Sequence, residues 1–237
     1  MAMSRRRFWV AVATVVVATL TARLGVWQLD RAATKQAWVD AVAAQQSKPP
    51  LDASAWQNGA PGETELHRHV RLQGHWRGEF TRYLDNRTMG EATGFLVVTP
   101  LRLDNGQTVV VQRGWVPRNR VDRTQLAPVQ TPAGEVTVEG ILAAPPSRYF
   151  SLGDDGTGPV LQNLNWAKYG QDMHADIGTM SVREDGTASD GLQRHWNPIN
   201  TKISTHYGYA FQWFAMAFAT VILYVWYQII IPRRRRS

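Results

Sequence analysis

The chain has 237 residues, 26 Lys and Arg against 19 Asp and Glu, and no Cys. The length suits one or two domains, and the missing Cys excludes a disulfide scaffold, Cys-ligated zinc, an iron–sulfur cluster, a thiol nucleophile and thiolate delivery of copper. A net charge of +7 invites a nucleic-acid reading, but all 19 acidic residues lie between Asp30 and Asp190, where segment 30–208 holds 18 basic residues. The excess therefore sits at the termini, in Arg5–Arg7, Arg23 and Arg233–Arg236, and no basic stripe marks a folded body that would follow a phosphate backbone.

Each basic cluster abuts an apolar run. Residues 8–29 are apolar apart from a few polar positions and one charge, Arg23, which can reach the interface with its long side chain. The rival reading is a cleaved signal peptide with Arg5–Arg7 as its basic start. Because Leu20-Thr21-Ala22 is a poor cleavage site, a retained membrane helix is expected. Residues 31–46 continue as an Ala-rich helical pattern without Gly or Pro, and Pro49-Pro50 ends it. A Gly-, Pro- and Asn-containing loop follows to Gly62.

The middle of the chain reads as strands. In Glu65–Leu72, Leu66, Val70 and Leu72 share one face, with His67 and His69 on the other. Thr81–Asn86 is the next strand. Gly94–Leu103 and Gln107–Trp115 flank Asp104-Asn105-Gly106, a strong hairpin signal with positive φ expected at both turn residues. Glu135–Leu142 is a further strand, Asp154-Asp155-Gly156 a turn, Asn165–His174 a short helix and Thr179–Arg183 a last strand. The expectation is an α+β membrane protein: two transmembrane helices flank an external, antiparallel β-rich domain, a small barrel or sandwich with helices at its margins.

Residues 209–231 hold 23 uncharged residues, about 34 Å of helix against a bilayer core of roughly 30 Å. Trp213, Tyr224, Trp226 and Tyr227 lie towards the two ends, as interfacial aromatics do. Basic residues stay on the cytoplasmic side, so both termini are expected inside. The full division is 1–7 and 232–237 cytoplasmic, 8–29 and 209–231 in the bilayer, and 30–208 in the bacterial periplasm. Small residues at Ala18, Ala22 and Gly25, and at Ala215 and Ala219, would let the helices approach closely. Gln28 and Gln212 could hydrogen-bond across the outer end of the pair.

No HExxH, GxSxG, P-loop or GxGxxG occurs, and no enzyme active site is visible. His67, His69 and His75 could grip a metal, though Glu65 and Arg71 on the same face mark a wet surface. Arg113 and Arg118, in Arg113-Gly114-Trp115-Val116-Pro117-Arg118, could bind carboxylates such as haem propionates bidentately, or pair internally at a strand end. His206 stands three residues before the second apolar run. With Tyr209, Trp213 and Met216 it follows helical spacing on one face, and a neutral imidazole there could ligate a haem iron or simply hydrogen-bond a neighbour. Gly208 stands against a continuous helix at this point, costing about 1 kcal/mol relative to Ala.

These pieces together resemble the surfeit locus protein one family of cytochrome c oxidase assembly factors. The matching stretches are Leu24–Leu29 with Arg31 and Lys35, Gly94–Pro100, Arg113–Arg118, Asn165-Trp166 with Tyr169, and His206, Tyr209, Ala210 and Trp213-Phe214. They stand in the family's order and spacing over nearly the whole chain. The resemblance implies a non-enzymatic respiratory-chain assembly chaperone of the inner membrane. It would assist haem a insertion into the largest subunit of a haem–copper oxidase, with haem a synthase as a further partner. It also implies transient haem a binding with His206 as the iron ligand. Tyr209 and Trp213 would line the porphyrin, and Arg113 or Arg118 would meet the propionates. The alternative is a cofactor-free scaffold that steadies a nascent oxidase subunit.

Overall fold

The structure is a computed structural model and describes residues 5–57, 59–119, 126–150, 158–186, 190–196 and 202–234. It divides into two compact units: residues 1–41 with 199–237, and residues 42–198. The turn expected at Asp154-Asp155-Gly156 lies outside the described residues.

In the first unit, helix α1 (Arg5–Gln46) runs unbroken for 42 residues, about 63 Å. The two helical stretches read from the sequence are one element, because nothing between Leu29 and Arg31 breaks the hydrogen-bond ladder and Gly25 is the sole Gly. Thr14 and Thr21 fit the apolar run because their hydroxyls donate to the carbonyls of Val10 and Val17, both at 2.8 Å. Helix α2 (Trp166–Asp172) belongs to the other unit, and helix α3 (Ile203–Tyr224) completes this one. It passes through Gly208 without a break, so His206 lies on a helix and not in a turn. The single-residue cost of Gly is small beside a 22-residue ladder.

Beyond Tyr224 the chain winds as a six-residue π-helix, Val225–Ile230, before a final α turn, helix α4 (Ile231–Arg234). Pro232 explains it. Its ring has no N–H for the Gln228 carbonyl and would clash with it, so the preceding turn widens. The Ile231 N–H accordingly reaches back five residues, to the Trp226 carbonyl. Among the described residues two helices are thus long and apolar enough to cross a membrane, and their most apolar windows are 6% and 0% buried. Buried core helices of a soluble protein would not look like this, and the pair fits a membrane protein.

The second unit is β-rich. Its strands are β1 (His69–Trp76), β2 (Arg82–Met89), β3 (Ala92–Leu103), β4 (Thr108–Pro117), β5 (Glu135–Ala143), β6 (Val160–Leu161) and β7 (Ser181–Glu184). The order is β1-β5-β7-β4-β3-β2-β6, with β1 also paired to β3. That extra pairing closes β1, β5, β7, β4 and β3 into a five-stranded barrel, and β2 and β6 extend its wall from β3. Most pairs are antiparallel as expected, but β4–β7 and β2–β6 are parallel.

Alternation explains the barrel interior. Val70 and Leu72 of β1, Leu101 and Leu103 of β3, Val109 and Val111 of β4, Val138 and Leu142 of β5 and Val182 of β7 form one core. The other face of β3 and β4 is also buried. Leu96, Val98 and Val110 pack with Leu84 under helix α2 (Trp166–Asp172), so both strands read as continuous apolar runs. Asn165 caps α2, accepting from the Lys168 N–H at 3.1 Å, while the buried Tyr169 hydroxyl donates to the Phe80 carbonyl at 2.6 Å. Trp166 donates to the Gly178 carbonyl. The Asn165-Trp166…Tyr169 motif therefore fastens this helix to the barrel.

Two local expectations are corrected. The β3–β4 hairpin has positive φ at Gly106 only; Asn105 instead closes the loop by accepting from the Gln107 N–H at 3.0 Å. The first strand starts at His69, not Glu65. Glu63–Glu65 is a 3-10 turn, and His67 adopts φ 72° while its N–H donates to Leu142. His67 is thus off the strand, and His69 and His75, six residues apart on it, stand about 20 Å from each other. These three His do not form a metal site. Among the described residues no group of three or more potential ligands could hold a metal.

Candidate functional site

The first unit carries the candidate site around His206. Exposure falls along α1 at Thr14, Ala18, Thr21, Gly25, Gln28 and Ala32, and along α3 at Ile203, His206, Ala210, Trp213, Ala217 and Thr220. Both series alternate steps of three and four, the 3.5-residue repeat by which two helices keep one seam against each other. Two contacts fix the pairing. His206 Nδ1 lies 2.7 Å from Gln28 Oε1. A Cβ on Gly25 would sit 2.8 Å from the Phe214 ring, so the backbone of α1 passes directly beneath that ring. Gln28 meets the start of α3 and the earlier Gly25 meets a later turn, which makes the helices antiparallel. The close approach depends on small residues. On α3 these are Ala210 and Ala217, whereas Ala215 and Ala219 face outward.

His206 sits one turn into α3. An amide oxygen only accepts, so the Gln28 contact makes Nδ1 the donor, and in the neutral ring the lone pair is then on Nε2. Nε2 has no hydrogen-bond partner among the described residues. Trp213, two turns on, shares the seam with His206. Tyr209 and Met216 are 49% and 45% exposed on its flank, so the expected four-residue face is split between seam and edge. Gln28 bonds to His206 and not to Gln212. The donor set fits a haem iron when the ring is neutral: an imidazole with one nitrogen engaged and the other free, on a helix that also carries Tyr209 and Trp213.

The Arg side chains belong to the other unit. Arg113 is the extra residue of a β-bulge, since Val98 faces Gln112 while Val97 faces Gly114. The bulge turns its side chain into a buried cluster. Arg113 donates to Asp190 at 2.9 Å, the Gln130 carbonyl at 2.8 Å and Thr131 at 2.9 Å. Arg194 donates to Asp190 at 2.6 Å and pairs with Glu184 at 3.0 Å. Its Nε also donates to the Arg113 carbonyl. The Trp76 ring lies 4.5 Å beneath the Arg113 guanidinium. Burial lowers the Arg113 pKa, against the opposing pull of Asp190 and Glu184. Burial raises that of the Glu184 carboxyl, against Arg194 and Arg113. Gly114 lets the Leu192–Gln193 segment approach, and Trp115 exchanges two backbone hydrogen bonds with Gln193. Arg118 pairs with Asp85. Internal pairing is therefore the geometry at both Arg113 and Arg118. Sequence reading did not find Glu184, Asp190 or Arg194, which carry no motif and meet Arg113 only through the fold.

A small closed barrel and two long apolar terminal helices fit a membrane-linked protein. The family model described as the SURF1 family matches residues 15–218, and the chain belongs to that family, a family of oxidase assembly factors. A SURF1-like protein of Rickettsia conorii is 23% identical over 218 residues, covering 89% of this chain and 87% of that relative. One from Rickettsia felis is 22% identical over 222 residues, covering 90% and 94%.

Proposed function

We propose that the chain is a non-enzymatic assembly factor for a haem–copper cytochrome c oxidase. In this reading it holds haem a transiently on His206 and yields it to the largest oxidase subunit, with haem a synthase as the supplying partner. The observation that carries the proposal is the unpartnered Nε2 of His206 on a seam shared with Trp213. Bound haem a would supply the iron that accepts this lone pair. Trp213 and Tyr209 would bear on the porphyrin faces. Internal pairing of Arg113 and Arg118 leaves the propionates to other donors.

The helices would cross the bacterial inner membrane with both termini in the cytoplasm and the barrel in the periplasm, following the basic residues at both ends. Deleting the gene from its host should lower the haem a content and activity of the oxidase. The wild-type copy should restore both, and His206→Ala should not. Full restoration by His206→Ala, at equal protein level, would favour a cofactor-free scaffold.

A further inference from the structure

We propose that Gln28 is a positioning residue for His206: its side-chain oxygen fixes the imidazole in the Nδ1–H tautomer and aims Nε2 as the ligand nitrogen. The inference rests on the carrier reading above for what Nε2 binds, but not for where the proton sits. His206 Nδ1 and Gln28 Oε1 are 2.7 Å apart. A neutral imidazole has one donor and one acceptor nitrogen, and the acceptor amide oxygen decides which is which.

The two residues lie on different helices, and each helix is held to the other nearby. Gly25, one turn before Gln28, passes under Phe214, and Ala210, one turn after His206, is 2% exposed. Both side chains thus project from packed backbone and not from a loop. An arrangement in which a ligand histidine gives its second N–H to a fixed acceptor sets ring orientation and raises the basicity of the ligating nitrogen. Among the described residues the His206 side chain makes no other hydrogen bond. The pairing is also absent from any motif for catalysis or metal binding in the chain.

The test uses the full-length protein in detergent with 15N-labelled histidine. At alkaline pH, before any haem is added, His206 should show a pyrrole-like Nδ1 and a pyridine-like Nε2. In Gln28→Leu the proton should redistribute toward Nε2. Titration with haem a should then show affinity weakened about 10- to 100-fold in Gln28→Leu. Gln28→Glu keeps an acceptor in place, so it should bind near wild-type strength, with the iron's potential lowered by the more basic imidazole. Circular dichroism and thermal melts of both variants separate these effects from loss of folding.

A wild-type His206 protonated on Nε2 overturns the inference whatever haem does. So does Gln28→Leu that binds haem a as tightly as wild type while His206→Ala abolishes binding. A pyridine-like Nε2 in a wild type that binds no haem supports the orientation and overturns the carrier reading alone.

Discussion

Arg113, Glu184, Asp190 and Arg194 share hydrogen bonds inside the barrel wall, with side chains between 3% and 16% exposed. Removing one member of such a cluster leaves the others charged and desolvated. Arg113→Ala should therefore cost about 3–5 kcal/mol of unfolding free energy, measured by urea denaturation of the detergent-solubilised protein with tryptophan fluorescence. Glu184 adds a pH dependence. Its carboxyl is raised on folding by burial, so the folded state binds that proton more tightly than the unfolded chain. Its contribution is fully present below the unfolded carboxylate value, about 4.3, and is lost as pH rises through the raised folded value. The stability of wild type minus that of Glu184→Gln should fall across that window and then level off. A difference that rises with pH would contradict the assignment. None of this was legible in the sequence, because Arg113 and Arg194 are 81 residues apart and only the β-bulge aims the first at the second. His206, by contrast, was legible from its spacing to the apolar run. Its partner was half legible: Gln28 was expected to hydrogen-bond across the helix pair, but to Gln212, because the rotation of each helix is not written in the spacing.

Helices and strands differ in how openly the chain announces them. Both long helices show because apolar runs of that length have few other uses. The Ala-rich pattern of 31–46 joins the first apolar run in one helix; Asp30 and Arg31 interrupt the apolar pattern, but charge does not break a helix. The 3.5-residue seam was hidden by the apolar outer faces. It makes a prediction: Gly25→Leu must displace the Phe214 ring and should separate α1 from α3. Loss of disulfide formation between Gln28→Cys and His206→Cys would show it, with Gly25→Ala retaining most of the cross-link. Pro232→Ala should return Val225–Ile230 to α geometry by restoring a donor for the Gln228 carbonyl, visible as a new slowly exchanging amide at position 232. Among strands, the β3–β4 hairpin was readable from Asn105-Gly106 and its flanking apolar runs. The displaced start of β1 was not, because Leu66, Val70 and Leu72 continue a two-residue period through His67, whose positive φ ends the strand. Two-residue β6 carries too little pattern to be seen.

At the scale of the whole molecule, the sequence disclosed the β-rich middle, the apolar ends and a small barrel or sandwich, which is a barrel, but not the strand pairs that close it. The β1–β3 contact and the parallel β4–β7 pair depend on three-dimensional return of the chain, which local periodicity does not encode. Charge at the two ends makes a topological prediction. Alkaline phosphatase fused after Thr108 should be active outside the cytoplasm, and the same reporter after Arg234 should be silent; the reverse pattern would contradict the proposed orientation. The central claim is that His206 offers its free nitrogen to haem a. The most direct measurement is the absorption spectrum of the detergent-purified protein from cells that make haem a, beside His206→Ala. A Soret band is expected in the wild type and is lost in the folded variant. A colourless wild type with native folding, or a band that survives His206→Ala, would contradict it.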